Sequence, residues 1–164
     1  MNKLLDLDSI LAAEKTPRLK VTLRRDPIKG ISLFSTQEIK KGVVIAYYHM
    51  KVYSIAHPGP FGSTYRFAVY TKRGEISKRL VGNLFEGSLR APRRNIPYWA
   101  YFANEPNQDE SPNAFVDACV AQNYRGRDRL RVGDEITYKL IASRTIAPGE
   151  EIVWCYGDRY ERDY

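Results

Sequence analysis

Ala147-Pro148-Gly149-Glu150-Glu151-Ile152-Val153-Trp154-Cys155-Tyr156-Gly157-Asp158-Arg159-Tyr160 joins a tight turn to a hydrophobic run that ends in aromatic side chains. Pro148-Gly149 is a strong turn pair, Ile152 and Val153 favour an extended backbone, and Gly157 releases the chain just after a tyrosine. The segment reads as a strand that presents the phenol of Tyr156 at its end.

Moving outward, the same short-strand grammar recurs. Leu19, Val21 and Leu23 alternate with Lys20, Thr22 and Arg24, the period of a half-exposed strand. Asp26-Pro27-Ile28-Lys29-Gly30 breaks it, and Ile31 to Phe34 starts a second extended run, so a hairpin-like turn passes through Gly30. After Lys41-Gly42, Val43 to Tyr48 reads as a buried strand that Tyr48 ends. His57 to Pro97 is less regular: a strand-like Tyr65 to Tyr70, a turn at Arg73-Gly74 and a polar loop around Arg90 to Asn95 suggest an insertion carrying one hairpin. Ala114 to Ala121 reads as a strand, Asn123 to Asp128 as a turn and Glu135 to Ser143 as another strand. Leu4, Leu5, Leu7, Ile10 and Leu11 predict a short helix over Asn2 to Glu14. Many short strands with one N-terminal helix predict a mostly β domain.

Composition bounds the function. A chain of 164 residues suits one domain, and its 43% apolar and 12% aromatic content is globular. No stretch approaches the roughly 20 apolar residues of a membrane helix, so no membrane association is expected. The N-terminus alternates leucines with acids and does not read as a secretory signal. Cys119 and Cys155 form neither a disulfide framework nor a CxxC zinc pattern, which predicts a reducing, intracellular setting and no metal. The net charge of +7 is concentrated at Arg18 to Lys29, Lys72 to Arg94 and Arg125 to Arg131. Such clusters suit either an anionic partner or solvated faces.

Three pieces carry the chemistry. Gly30-Ile31-Ser32-Leu33-Phe34 offers a glycine turn where a ligand can approach the main chain. Asn104-Glu105-Pro106, at the end of the aromatic run Tyr98 to Phe102, and Ser111-Pro112-Asn113 offer carboxamides that donate and accept. Glu150 to Gly157 offers the phenol. In this order they resemble the signature of SET-domain protein lysine methyltransferases. Ser32 stands where that family has the second glycine of a Gly-x-Gly, adding little bulk and keeping its N–H. Asn104 and Pro112-Asn113 match the family's Asn-His-Ser-Cys-x-Pro-Asn, with Glu105 in place of histidine and a longer spacing. Glu150 to Gly157 matches Gly-Glu-Glu-Leu-Thr-aromatic-Asp-Tyr-Gly.

The resemblance implies a fold of several small sheets and the following roles. Gly30, Ile31, Ser32, Asn104, Glu105 and Tyr156 bind S-adenosylmethionine. Tyr156 is the catalytic tyrosine and Tyr48 a second tyrosine acting with it. Tyr48, Trp154 and Tyr160 line the channel for the substrate lysine. The likeness spans residues 24–160, with 57–97 as a variable insertion, 1–23 as helix and lead-in strand and 161–164 as a tail. It is closest in type to the minimal stand-alone members of large DNA viruses, with their Tyr-Gly-Asp-x-Tyr ending. Little chain remains to close the lysine channel, so either Tyr160 and Tyr164 fold back over it or a second protomer, in a homodimer, supplies the wall.

The implied activity is methyl transfer to a lysine of a protein, a histone tail in the leading reading, in a nucleus or host nucleus. The basic clusters are then free for nucleosomal DNA. Two alternatives stand beside it: a catalytically silent SET-like module binding chromatin or nucleic acid, and a methyltransferase for a non-histone protein.

Overall fold

The computed structural model describes residues 19–63, 65–89 and 96–156. The expected N-terminal helix, the polar loop around Arg90 to Asn95, and Tyr160 and Tyr164 lie outside them. Strands β1 (Val21–Asp26) and β2 (Gly30–Ser35) form a two-stranded antiparallel hairpin with Leu23 opposite Leu33 and Asp26 opposite Gly30. The Asp26 carboxylate accepts the N–H groups of Ile28 and Lys29, both at 2.8 Å, and Gly30 takes φ 81° to re-enter the ladder.

A five-stranded antiparallel sheet holds β3 (Val44–Ser54), β4 (Phe67–Tyr70), β5 (Ile76–Asn83), β6 (Ala114–Asp117) and β7 (Glu135–Ala142) in the order β4-β5-β3-β7-β6. At its centre Ala46, Tyr48 and Met50 lie opposite Leu140, Tyr138 and Ile136, and all six are buried. Period-2 alternation thus puts one apolar face of β3 and one of β7 into the core. This mostly β architecture is the one expected from the sequence.

Two local readings are corrected. Tyr48 does not end its strand: β3 continues to Ser54, because Met50 and Val52 keep the alternation and are fully buried behind the polar His49 and Lys51. The strand begun at Ala114 stops at Asp117. Cys119 adopts the left-handed φ of 51°, which no strand tolerates, and a short helix α1 (Val120–Tyr124) follows. Asn123 on α1 accepts the N–H of Thr137, and the Tyr124 hydroxyl donates to Tyr70 O, so the turn is docked on β7 and β4.

The C-terminal segment differs most from its expectation. Residues 150–156 join neither sheet; they run as an extended strap across three remote stretches. Ile152 N–H donates to Leu33 O, Trp154 N–H to Asn104 O, and Val153 O accepts from Asn113 and Ala114. Asn113 is 1% exposed, and its side chain completes the clamp. Nδ2 donates to Glu150 Oε2 (3.0 Å) and Glu151 O (2.8 Å), and Oδ1 accepts Val153 N–H (2.9 Å). A carboxamide has two donors and an acceptor, and all are used.

Asn113→Ala therefore strands two backbone groups, Glu151 O and Val153 N–H, and removes a donor from Glu150 at once, and should lower unfolding stability by about 3 kcal/mol, measured by urea denaturation. Glu150 sets a second, pH-dependent contribution. The Arg144 guanidinium hydrogen-bonded to it holds its carboxyl down at about 2, against the opposing effect of burial and with help from Asn113 and the Ala147 N–H. A folded value below the ordinary 4.5 means stability that is complete above that pH and lost as pH falls toward 2. The stability difference between wild type and Glu150→Gln should shrink across that window in acid titrations of the unfolding midpoint.

Candidate active site

The strap has two faces with opposite chemistry. On one, Asn104 Nδ2 donates to Ser32 Oγ at 2.7 Å and contacts Glu151 Oε1 at 3.4 Å, while Glu151 Oε2 pairs with Lys29 Nζ at 3.4 Å. The Lys29 and Glu151 side chains are each 19% exposed, so the pair is partly desolvated without being sealed. Ser32 is fully buried on β2, and Gly30, at the mouth of the hairpin turn, is exposed, with open space where a Cβ would stand. Ammonium, carboxylate and carboxamide thus meet beside a bare stretch of backbone.

On the other face lies an aromatic cluster. The Trp154 ring stacks on Phe67 at 6.1 Å and 15°, meets Tyr48 edge-on at 6.0 Å and lies 4.7 Å from Tyr156. Tyr48 in turn lies 4.7 Å from both Phe67 and Tyr101. Three elements contribute: Tyr48 from the buried face of β3, Phe67 from the first position of β4, and Tyr101 from the 3-10 turn Ala100–Phe102. The indole N–H of Trp154 is buried and finds no acceptor among the described residues. Burial holds the Tyr101 phenol well above its ordinary value, so it stays protonated and donates to His49 O.

Tyr156 joins the two faces. Its hydroxyl donates to Ala103 O at 2.7 Å and its N–H to Glu105 Oε1 at 3.2 Å. A phenol that donates still has lone pairs with which to accept. Of the residues singled out from sequence, Ser32, Asn104, Glu105 and Tyr156 converge around the strap, with Gly30 and Ile31 on the adjoining β2. Tyr48 and Trp154 form the aromatic wall. The side chain of Glu105 serves as a backbone acceptor for Tyr156, a function that sequence pattern did not indicate.

Lys29, Glu151, Phe67 and Tyr101 were not among the expected site residues. Glu151 sits within the third motif and Lys29 immediately before the first, and their opposite charges were the available signal. Phe67 carried none, because only the pairing of β4 with β5 brings it under Trp154.

Comparisons with known proteins follow this geometry. A SET-domain sequence profile matches residues 30–157. The chain belongs to the SET-domain family. That family comprises protein lysine methyltransferases that generally use S-adenosylmethionine. Among solved structures, a Plasmodium falciparum protein provisionally named a histone methyltransferase is similar in fold, with TM-score 0.50 and 15% identity over 86% of this chain and 96% of that one. ATXR5, solved in complex with histone H3.1 monomethylated on R26, gives TM-score 0.52 and 19% identity over 88% of this chain and 60% of that one. A comparison with curated proteins gives no match.

The unmet indole donor makes a prediction about this SET domain. Trp154→Phe removes ring area but also a buried polar group without a partner, so unfolding stability should change by less than about 2 kcal/mol. Trp154→Ala leaves a cavity and should cost about 3–5 kcal/mol in the same chemical denaturation series.

Proposed function

We propose that the protein transfers a methyl group from S-adenosylmethionine to the side-chain amine of a lysine in a histone tail. The observation that carries this reading is the strap itself: one face is a zwitterion-complementary polar cluster, the other an aromatic wall, and Tyr156 sits at their junction.

The donor set fits the methionine end of S-adenosylmethionine. That end bears an ammonium and a carboxylate, and Lys29, Glu151 and Asn104 offer a cation, an anion and a group that does both. Gly30 leaves its backbone approachable, and Ser32 orients the Asn104 carboxamide. The bound molecule supplies an electrophilic methyl on a sulfonium.

The remaining work belongs to the chain. A lysine ammonium has no lone pair and must lose its proton to solvent before its nitrogen can take the methyl group. An apolar wall of Trp154, Phe67 and Tyr48 favours the neutral amine, since desolvation lowers the pKa of a cation. The Tyr156 oxygen, fixed by its bond to Ala103 O, accepts from the amine and aligns its lone pair. The methylated product is again a cation, which the ring faces stabilise by ~0.5–2 kcal/mol.

A histone tail suits the site through charge. Glu150 and Glu151 are engaged by Arg144 and Lys29, whereas Asp109 and Glu110 are exposed on the loop between Asn104 and Asn113, beside the strap. That loop gives a basic tail an acidic border. Histones as substrate imply action in a nucleus.

The test incubates wild type and Tyr156→Phe with isotopically labelled S-adenosylmethionine and purified core histones. Wild type should label one histone, and the variant should lose at least about 100-fold in rate, more than its lost hydrogen bond of about 1 kcal/mol would explain. Calorimetry showing no binding of millimolar S-adenosylmethionine to wild type would overturn the proposal.

A further inference from the structure

A second groove lies away from the strap, between the turn joining β4 to β5 and helix α1. It encloses about 500 Å³ and is lined by Lys72, Arg73 and Gly74 on one side and by Val120, Ala121, Tyr124 and Gly126 on the other. Both walls are fixed. Thr71 and Gly74 close the β4–β5 turn with hydrogen bonds of 2.7 and 2.8 Å, Arg127 N–H donates to Tyr124 O, and the Tyr124 hydroxyl ties α1 to Tyr70 O at 2.7 Å. A ligand meets a formed surface and bears little ordering cost.

Its rim is strongly cationic. Lys72 and Arg73 line the groove, Arg125 and Arg127 flank the lining Gly126, Arg129 and Arg131 follow in the same loop, and all six are exposed. Asp134 holds Arg127 at 3.1 Å, and Lys72 contacts Asp128 at 3.3 Å, a carboxylate whose side chain is 95% exposed and easily exchanged for another anion. Among the described residues, Arg73, Arg125, Arg129 and Arg131 have no carboxylate within 4.0 Å. Unneutralised guanidinium groups on both sides of one groove call for a repeating anion.

We propose that this groove and its arginine rim dock the phosphate backbone of double-stranded DNA. Planar guanidinium groups pair phosphate oxygens bidentately, and several of them displace counterions cooperatively. A peptide would need backbone partners or side-chain pockets, whereas the N–H groups of Thr71, Gly74 and Arg127 are spent inside their turns. A single strand would need stacking platforms, and Tyr124, the aromatic side chain lining the groove, is 5% exposed. Backbone contact with a duplex needs neither. Strand β4 links this surface to the site: Phe67 lies in the aromatic cluster and Tyr70 at the groove, three residues or about 10 Å apart along the strand.

DNA docking stands independently of methyl transfer and is measured without any methyl donor. Fluorescence anisotropy follows the full chain binding a short labelled duplex of mixed sequence across a salt series. Wild type should lose affinity steeply with salt. Arg125→Gln/Arg129→Gln should weaken binding at low salt at least about tenfold and make the log–log salt slope shallower by roughly 2, near 0.9 per phosphate contact removed. Lys40→Gln/Lys41→Gln removes the same charge at the opposite end of β7, where Gly42 N–H meets Ala142 O, and should change affinity less than about threefold. Arg73→Gln, on the facing turn, gives an independent variant, and Tyr156→Phe should bind duplex like wild type. Equal loss in groove and control variants, no binding at low salt, or displacement of duplex by polyglutamate or by a single strand of equal length would each overturn the proposal.

Discussion

The fold of this SET domain depends on the clamp that Asn113 makes on the C-terminal strap. Residues 150–156 belong to no sheet, yet they touch β2 through Ile152, the start of the Asn104 segment through Trp154, and the base of β6 through Val153. Each backbone group of such a segment must find a partner outside itself, since no ladder supplies one. One buried carboxamide provides two of those partners, to Glu151 O and Val153 N–H, and its third bond, to the Glu150 carboxylate, links the strap to Arg144. It acts together with the bonds of Leu33, Ser35 and Ile39 to Ile152, Glu150 and Ile146, which join the hairpin to the C-terminal segment.

That arrangement produces the site. A strap in extended conformation points alternate side chains to opposite sides, so Glu151 reaches the polar cluster while Trp154 reaches the aromatic one. Two incompatible environments, one for charge and one for desolvation, are thereby kept a few residues apart without a wall between them. The proposed reaction needs both: charged groups to hold a zwitterionic donor, and a dry surface to keep an amine neutral. Tyr156 is shared because it follows Trp154 at the end of the strap, with its hydroxyl on Ala103 O and its backbone on Glu105.

The acids are distributed to match. Glu150, Glu151 and Asp134 are taken by Arg144, Lys29 and Arg127, which leaves Arg125, Arg129 and Arg131 beyond α1 without a carboxylate partner among the described residues. Part of the net positive charge that composition reports as a single number is, in three dimensions, a local surplus at one groove. The DNA-docking proposal rests on that placement and on a groove whose lining, among the described residues, exposes no aromatic platform, not on overall basicity.

Sequence alone determined the mostly β architecture, because alternation at Leu19 to Leu23 and Glu135 to Ser143 is local and survives any packing. It also determined the family, because Gly30, Asn104, Asn113 and Tyr156 occur with their turn residues in a recognisable order. Only the tertiary structure decided that β3 continues past Tyr48, since His49 and Lys51 hide an alternation whose buried members face β7. It alone decided that Cys119 turns the chain into α1, that Phe67 lies under Trp154, and that Glu105 serves Tyr156. In each case the deciding partner is tens of residues away, and no local pattern encodes a contact whose other half is set by how two sheets meet.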